Sequence, residues 1–251
     1  QDPSQKDIGY VGEKEAIIWV LTMAGHQIGP IFWIDHLAWF TPYMFVNSSY
    51  AMATGREVYG YPKEWGWFHL PPQPDQLTHL SVEADVFPTY SPATPATRKP
   101  VLTIDVTSPG VQAPGLWRTQ RDCFKEIISL LYETEQDLAR DIALPGLGLS
   151  LEALESLLTG AVPFVFLKQF RDVKEGHKPC YQAIVEANTT LAKFRRGGLL
   201  NGDFNTQIAN FDSHPIVHDL GLGSATPPVK LACWLDFDFV TEAGKEVLRI
   251  V

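Results

Sequence analysis

Short apolar runs, each closed by turn-forming residues, constrain this chain more than any other feature. Glu15 to Met23 reads Glu-Ala-Ile-Ile-Trp-Val-Leu-Thr-Met, rich in β-branched and aromatic side chains. Such residues fit a pleated, half-buried surface and mark a strand. Ile31 to Phe40 is a second apolar run, broken by Asp35-His36. Tyr43 to Val46 is a third, ending in the turn signal Asn47-Ser48-Ser49. Leu80 to Val86 and Val101 to Val106 continue the pattern. Between them, Tyr90 to Pro100 holds three prolines among serine, threonine and alanine, which predicts an exposed hairpin tip or linker. Strands return at Phe164 to Lys168, Lys178 to Ala187 and Val229 to Phe239. Many short strands with one helical interruption predict an α+β fold built on a mostly antiparallel β barrel.

The interruption is residues 117 to 159. Phe124, Ile127, Ile128, Leu131 and Leu138 recur there at helical spacing between Asp122 and Asp141. Leu149 to Leu158 reads as a shorter helix with Ser150 placed to cap it, after a turn at Leu144-Pro145-Gly146-Leu147-Gly148. The insert could be a lid, a partner surface or a packing layer. Residues 1 to 13 are polar and read as a loose arm. The whole of 1–251 reads as a single domain carrying this insert.

Composition narrows the partners. With 45% hydrophobic residues in 251, a sizeable core is within reach. A formal net charge of −9 argues against nonspecific nucleic-acid binding, which needs basic patches. The basic pairs Arg98-Lys99 and Arg195-Arg196 read as solvated loop charges, and the seven tryptophans as core. Cys123, Cys180 and Cys233 are far apart, which suggests buried thiols in a reducing compartment and a cytoplasmic protein. No apolar run approaches membrane-spanning length. No signal peptide stands in the sequence as given, and the missing initiator methionine leaves room for a removed leader or tag. His214 and His218 with Asp219 lack a third ligand by spacing, so no metal site is expected. Phosphate loops, dinucleotide fingerprints and Gly-x-Ser-x-Gly elbows are absent from the sequence.

The chemistry concentrates in Thr54 to Gly66, where one lysine, Lys63, stands among Tyr59, Tyr61, Trp65, Trp67 and Phe68. Gly60 permits close backbone approach, and Pro62 restricts the chain on either side of it. If the aromatic side chains wrap the amine, desolvation disfavours its charged form, and a neutral amine attacks ketones to form a Schiff base. From residue types alone the plainer reading is preferred: a surface lysine at the end of an aromatic strand. Lys168, Lys178 and Lys230 also lie in apolar stretches but lack the Pro-Lys setting.

Gly55-Arg56-Glu57 followed by Tyr61-Pro62-Lys63 resembles the signature of the acetoacetate decarboxylase family: Gly-Arg-Glu, three residues, an aromatic, then Pro-Lys. The spacing matches without a gap. Tyr43 to Asn47, Ala51 to Ala53, Phe164 to Lys168, Lys178 to Ala187, Phe211 to Pro215 with Asp219-Leu220, and Val229 to Leu248 resemble other parts of the family, as apolar patterns. The resemblance implies a closed, cone-like barrel with the lysine inside, assembly as a homo-oligomer, and a small keto acid substrate. It also implies Lys63 as the Schiff-base amine. No cofactor is expected, because the lysine supplies the electrophilic handle.

The resemblance extends to other site residues. Asp35 is the carboxylate closest to the place of the family's upstream catalytic-site glutamate; a turn aspartate is the alternative. Arg56 could clamp a substrate carboxylate, with Glu57 and Tyr61 beside it. Read as neighbours on one strand, Arg56 and Glu57 face opposite ways, so one of them could instead be a buried charge held by a partner elsewhere. One departure is Glu64, where the family's decarboxylases carry a second lysine. A neighbouring carboxylate raises a lysine pKa, unless an extended segment points it to the other face. Glu64, Glu57 and Asp35 are the candidate proton shuttles.

The expected function is thus a Schiff-base lyase that decarboxylates a β-keto acid. The alternatives are an aldolase-dehydratase on pyruvate-like substrates, or a non-catalytic small-molecule-binding barrel. A buried amine in a cavity favours catalysis; a solvated amine paired with Glu64 favours a remnant.

Overall fold

The computed structural model describes residues 10–109, 116–123, 125–127 and 163–251. The predicted insert lies mostly outside the described residues; within them, 120–123 and 125–127 are helical.

The two apolar runs at 31–40 and 43–46 form one strand. β1 (Glu15–Ile28) and β2 (Ile31–Val46) make a long antiparallel hairpin that turns at Gly29, whose φ of 61° suits glycine. Between the pairs Ile18–Tyr43 and Val20–Phe40, Thr41 and Pro42 together oppose Trp19. This β-bulge shifts the alternation of β2, so that Trp39, Thr41 and Met44 share one face while Tyr43 and Phe45 take the other. Pro42 sits at the bulge, where a missing N–H is tolerated.

β2 anchors a six-stranded sheet in the order β1-β2-β7-β8-β12, with β3 (Lys63–Trp65) also paired to β2. Here β7 is Phe164–Arg171, β8 Pro179–Ala187 and β12 Lys245–Arg249. A four-stranded sheet runs β10-β6-β5-β4, from β4 (Trp67–His69), β5 (His79–Val86), β6 (Thr97–Pro109) and β10 (Gly202–Ile208). β9 (Thr189–Leu199) and β11 (Cys233–Thr241) form a two-stranded sheet. β2 pairs in parallel with β3 and β7; every other ladder is antiparallel.

The expected closed barrel is not seen among the described residues. Closure needs a hydrogen-bonded ladder between the outer strands, and among the described residues none joins β1 to β12 or links the three sheets. Side-chain packing holds them together instead. One core lies between the six- and four-stranded sheets, from Tyr43 and Phe45 of β2, Val82, Ala84 and Val86 of β5, Val101, Ile208 and Ile216. Val82, Val86 and Val101 are fully buried, each contributing about 1.5–3 kcal/mol. A second core joins Trp117, Cys123 and Ile127 to Phe194, Leu199, Leu231 and Cys233. Between the six- and two-stranded sheets the described residues leave a space.

The Gly-Arg-Glu segment is a helix rather than a strand. α1 (Ser49–Val58) starts at Ser48, whose hydroxyl accepts the Ala51 N–H at 3.3 Å. Arg56 and Glu57 therefore follow helical rather than alternating geometry. Lys168 closes the helix by donating from Nζ to the Val58 carbonyl at 3.0 Å. Gly60, at φ 90°, turns the chain against the Lys168 backbone, where a Cβ would come within 2.5 Å of Lys168 Cα. A short helix α2 (Ile216–Asp219) follows the Phe211–His214 bridge. The tryptophan expectation is also corrected: Trp117 is core, but Trp33 is half exposed on the hairpin. Of the thiols, all free, Cys123 is buried and Cys180 exposed.

Candidate active site

A cavity of about 450 Å³ opens between the six- and two-stranded sheets. β1 contributes alternate residues to it, Glu15, Ile17 and Trp19, while Ala16 and Ile18 of the same strand pack on the core behind. β11 does likewise with Leu235, Phe237, Phe239 and Thr241, and turns Asp236 and Asp238 outward to Arg195. Gln120 and Cys123 of the helical segment complete the lining, and burial pushes the Cys123 thiol up to about 12.

Lys63 enters this cavity from β3. It pairs with Met44 in the parallel ladder, and both side chains line the space. The residue is only 7% exposed, and its amine lies 3.0 Å from Glu15 Oε1 and 3.6 Å from Glu13 Oε2. Three features of the motif hold it there. Gly55 leaves room for the lysine stem, since a Cβ would lie 2.8 Å from Cδ and 2.9 Å from Cε. Arg56 donates from Nη1 to the Lys63 carbonyl at 2.9 Å, fixing the backbone. The Tyr61 ring lies 5.4 Å from the amine and packs against Tyr59 and Phe166. Burial raises the Tyr61 hydroxyl pKa, with the nearby Tyr59 and Glu15 adding to it, so Tyr61 stays a neutral phenol. Burial likewise raises the Glu15 carboxyl above 4.5, against the lowering pull of Lys63.

Glu64 points to the other face of β3. Its Oε2 lies 2.9 Å from His214 Nε2, and the buried His214 ring stacks on Phe45 and holds Ser213 Oγ at Nδ1. Beside this cluster Tyr43 donates to Asp219 at 2.6 Å. His218 bonds its neighbour Asp219 at the exposed surface, so the two histidines do not converge. Among the described residues no cluster of His, Cys, Asp or Glu could hold a metal.

The other sequence candidates fall away from the cavity. Asp35 lies in the outer half of the hairpin, bonded to His26 at 3.0 Å; it stands nine positions before Met44 in β2, about 30 Å along the strand. Arg56 is spent on the Lys63 carbonyl, and Glu57 is exposed on α1. Trp65 and Trp67 meet edge to face, with Arg98 over Trp67, away from the amine. Lys178 pairs with Glu175 at the surface. Sequence reasoning missed Glu13 and Glu15, which precede Lys63 by 50 and 48 positions. The signal for Glu15 was an ionisable residue opening a strand whose alternation continues Ile17, Trp19. Lys63 is the sole cation, and Glu13 and Glu15 the sole carboxylates, among the described lining residues.

No protein-family model matches the chain, and no curated protein matches it. Solved structures do. The acetoacetate decarboxylase from Legionella pneumophila aligns with 97% of this chain and 70% of its own, at 14% identity and a TM-score of 0.54. An acetoacetate decarboxylase-like enzyme from Sphingomonas wittichii aligns with 95% of this chain and 70% of its own, at 10% identity and a TM-score of 0.49. The enduracididine biosynthesis enzyme MppR, complexed with pyruvate, aligns with 98% and 71%, at 14% identity and a TM-score of 0.45. The fold of this chain is acetoacetate decarboxylase-like.

Proposed function

We propose that the protein is a carbon–carbon lyase that decarboxylates a β-keto acid through an imine on Lys63. The observation that carries this reading is the Lys63 amine, buried in an apolar cavity within 3.0 Å of a carboxylate able to take its proton. Glu15 accepts the ammonium proton, and the free amine adds to the substrate keto carbon. The proton returns to the carbinolamine hydroxyl, which leaves as water. The iminium that remains sits between the Tyr61 ring and Glu15, both of which stabilise a cation. The bond to the carboxylate carbon breaks, carbon dioxide departs, and the electron pair moves to the enamine. Glu15, recharged from solvent, protonates the enamine carbon. Water then hydrolyses the ketimine to ketone and free lysine.

Charge favours decarboxylation over a pyruvate-type aldol reaction. A pyruvate-derived substrate keeps its carboxylate throughout, and the described lining offers no second cation to hold it. A β-keto acid loses its carboxylate, and Glu13 and Glu15 disfavour that charge in the ground state. A vestigial lysine would be solvated and tied to Glu64; here the amine is buried and Glu64 is bound to His214.

The test is borohydride trapping with acetoacetate, longer β-keto acids and pyruvate, read by intact mass and peptide mapping. The expected result is a substrate-sized adduct on Lys63 and release of carbon dioxide from the β-keto acids. Lys63→Arg should keep its circular dichroism spectrum and lose on the order of 10⁴-fold in turnover. A folded protein that gives no Lys63 adduct with any of these compounds overturns the proposal.

A further inference from the structure

Resting on the imine reading above, we infer that the substrate is a β-keto acid with a bulky apolar acyl part, an aryl group or a medium-length alkyl chain, rather than acetoacetate. Three observations lead there. The first is volume. At about 30 Å³ per water in the liquid, the 450 Å³ cavity holds the equivalent of about fifteen waters. Acetoacetate has seven heavy atoms and would leave about half of that space unfilled. The second is the wall. Trp19, Trp39, Phe164, Leu191, Phe194 and Phe237 face the space, and apolar surface of this extent gains nothing from a small polar ligand.

The third is the placement of polarity. The charged groups gather at the Lys63 amine, within 3.6 Å of it, while β9 and β11 offer no charge to the cavity. A ligand that matches this distribution carries its reacting keto and carboxylate groups at one end and hydrocarbon over the rest. The alternation of β11 builds the apolar wall on purpose-like spacing, with Leu235, Phe237 and Phe239 inward and the acids Asp236 and Asp238 held outside by Arg195. Burying hydrocarbon against that wall also supplies binding energy remote from the reacting bond.

The experiment is a chain-length series: acetoacetate, 3-oxohexanoate, 3-oxodecanoate and benzoylacetate, with kcat/KM for carbon dioxide release and Lys63 adduct formation measured for each. The expected result is a rise of about fourfold per buried methylene, reaching at least ~100-fold from acetoacetate to 3-oxodecanoate. Leu191→Trp narrows the apolar end and should cut the ratio of 3-oxodecanoate to acetoacetate at least ~10-fold. A flat or falling series, with the Lys63 adduct still forming, overturns this inference and leaves the imine chemistry standing. An unchanged ratio in Leu191→Trp also overturns it. Absence of any adduct across the series overturns the imine chemistry itself, a result distinct from the other two.

Discussion

The two faces of β3 carry similar ingredients and differ in one respect. On one face Lys63 meets Glu15 and Glu13; on the other Glu64 meets His214, with Tyr43 and Asp219 near by. Both are ionisable clusters beside apolar side chains. The Glu64 cluster backs onto the core of Tyr43, Phe45 and Val82. The Lys63 cluster faces a 450 Å³ space. The two faces thus share residue chemistry and differ in the room for a reactant beside the ionisable group. The Glu64–His214 link pins β3 from behind, and so helps aim Lys63 forward.

The same carboxylate-to-amide change on the two faces gives the sharpest contrast. Glu15→Gln removes the proton acceptor, and kcat/KM should fall about 10²–10⁴-fold. The wild-type profile should have an acid limb, because the proposed mechanism needs the Glu15 carboxylate. Burial raises that pKa, so activity should drop as pH falls through a value above 4.5, and the limb should vanish in Glu15→Gln. A pH–rate series on both proteins checks this; a limb that survives the substitution assigns it to another group.

A smaller effect is expected at Gly55. In Gly55→Ala the new Cβ meets the Lys63 stem at 2.8 Å and must displace it. A misplaced amine should slow Lys63 trapping about 10–100-fold. The thermal midpoint should move little, since a helix-propensity gain of up to ~1 kcal/mol offsets part of the crowding. Normal trapping rates in Gly55→Ala would show that the close approach is dispensable.

The smallest effect belongs to Glu64→Gln. The side chain is 43% exposed, and an amide can still hydrogen-bond His214, so stability should change by less than about 1 kcal/mol. Turnover should stay within about threefold, since Glu64 does not line the cavity. A loss as large as that of Glu15→Gln, with the fold intact, breaks the contrast between the faces and puts Glu64 in the chemistry.

The motif was legible because it is local. Gly55, Gly60, Tyr61, Pro62 and Lys63 stand within nine residues, and each acts on its near neighbours: Gly55 under the lysine stem, Gly60 at the turn, Tyr61 against the amine. The apolar runs at 15–23, 80–86, 101–106 and 164–168 were legible as strands for the same reason, since alternation is a property of the segment itself. Two strands, β9 and β10, escaped notice because bulges and interspersed basic and polar residues blur their alternation. Reading Arg56 and Glu57 as strand residues failed because the local pattern did not reveal the Ser48 cap or the Lys168 closure.

What the sequence by itself determined is the Pro-Lys motif at Lys63, its turn and the largely β character, all fixed by interactions within a few residues. The tertiary structure decided the rest. It brought Glu13 and Glu15, at the start of β1, to the amine, sent Glu64 to the opposite face and left Asp35 out on the hairpin. Each of these depends on register between distant strands, where one residue of slip exchanges the core face for the cavity face. A single chain carries no local record of that choice.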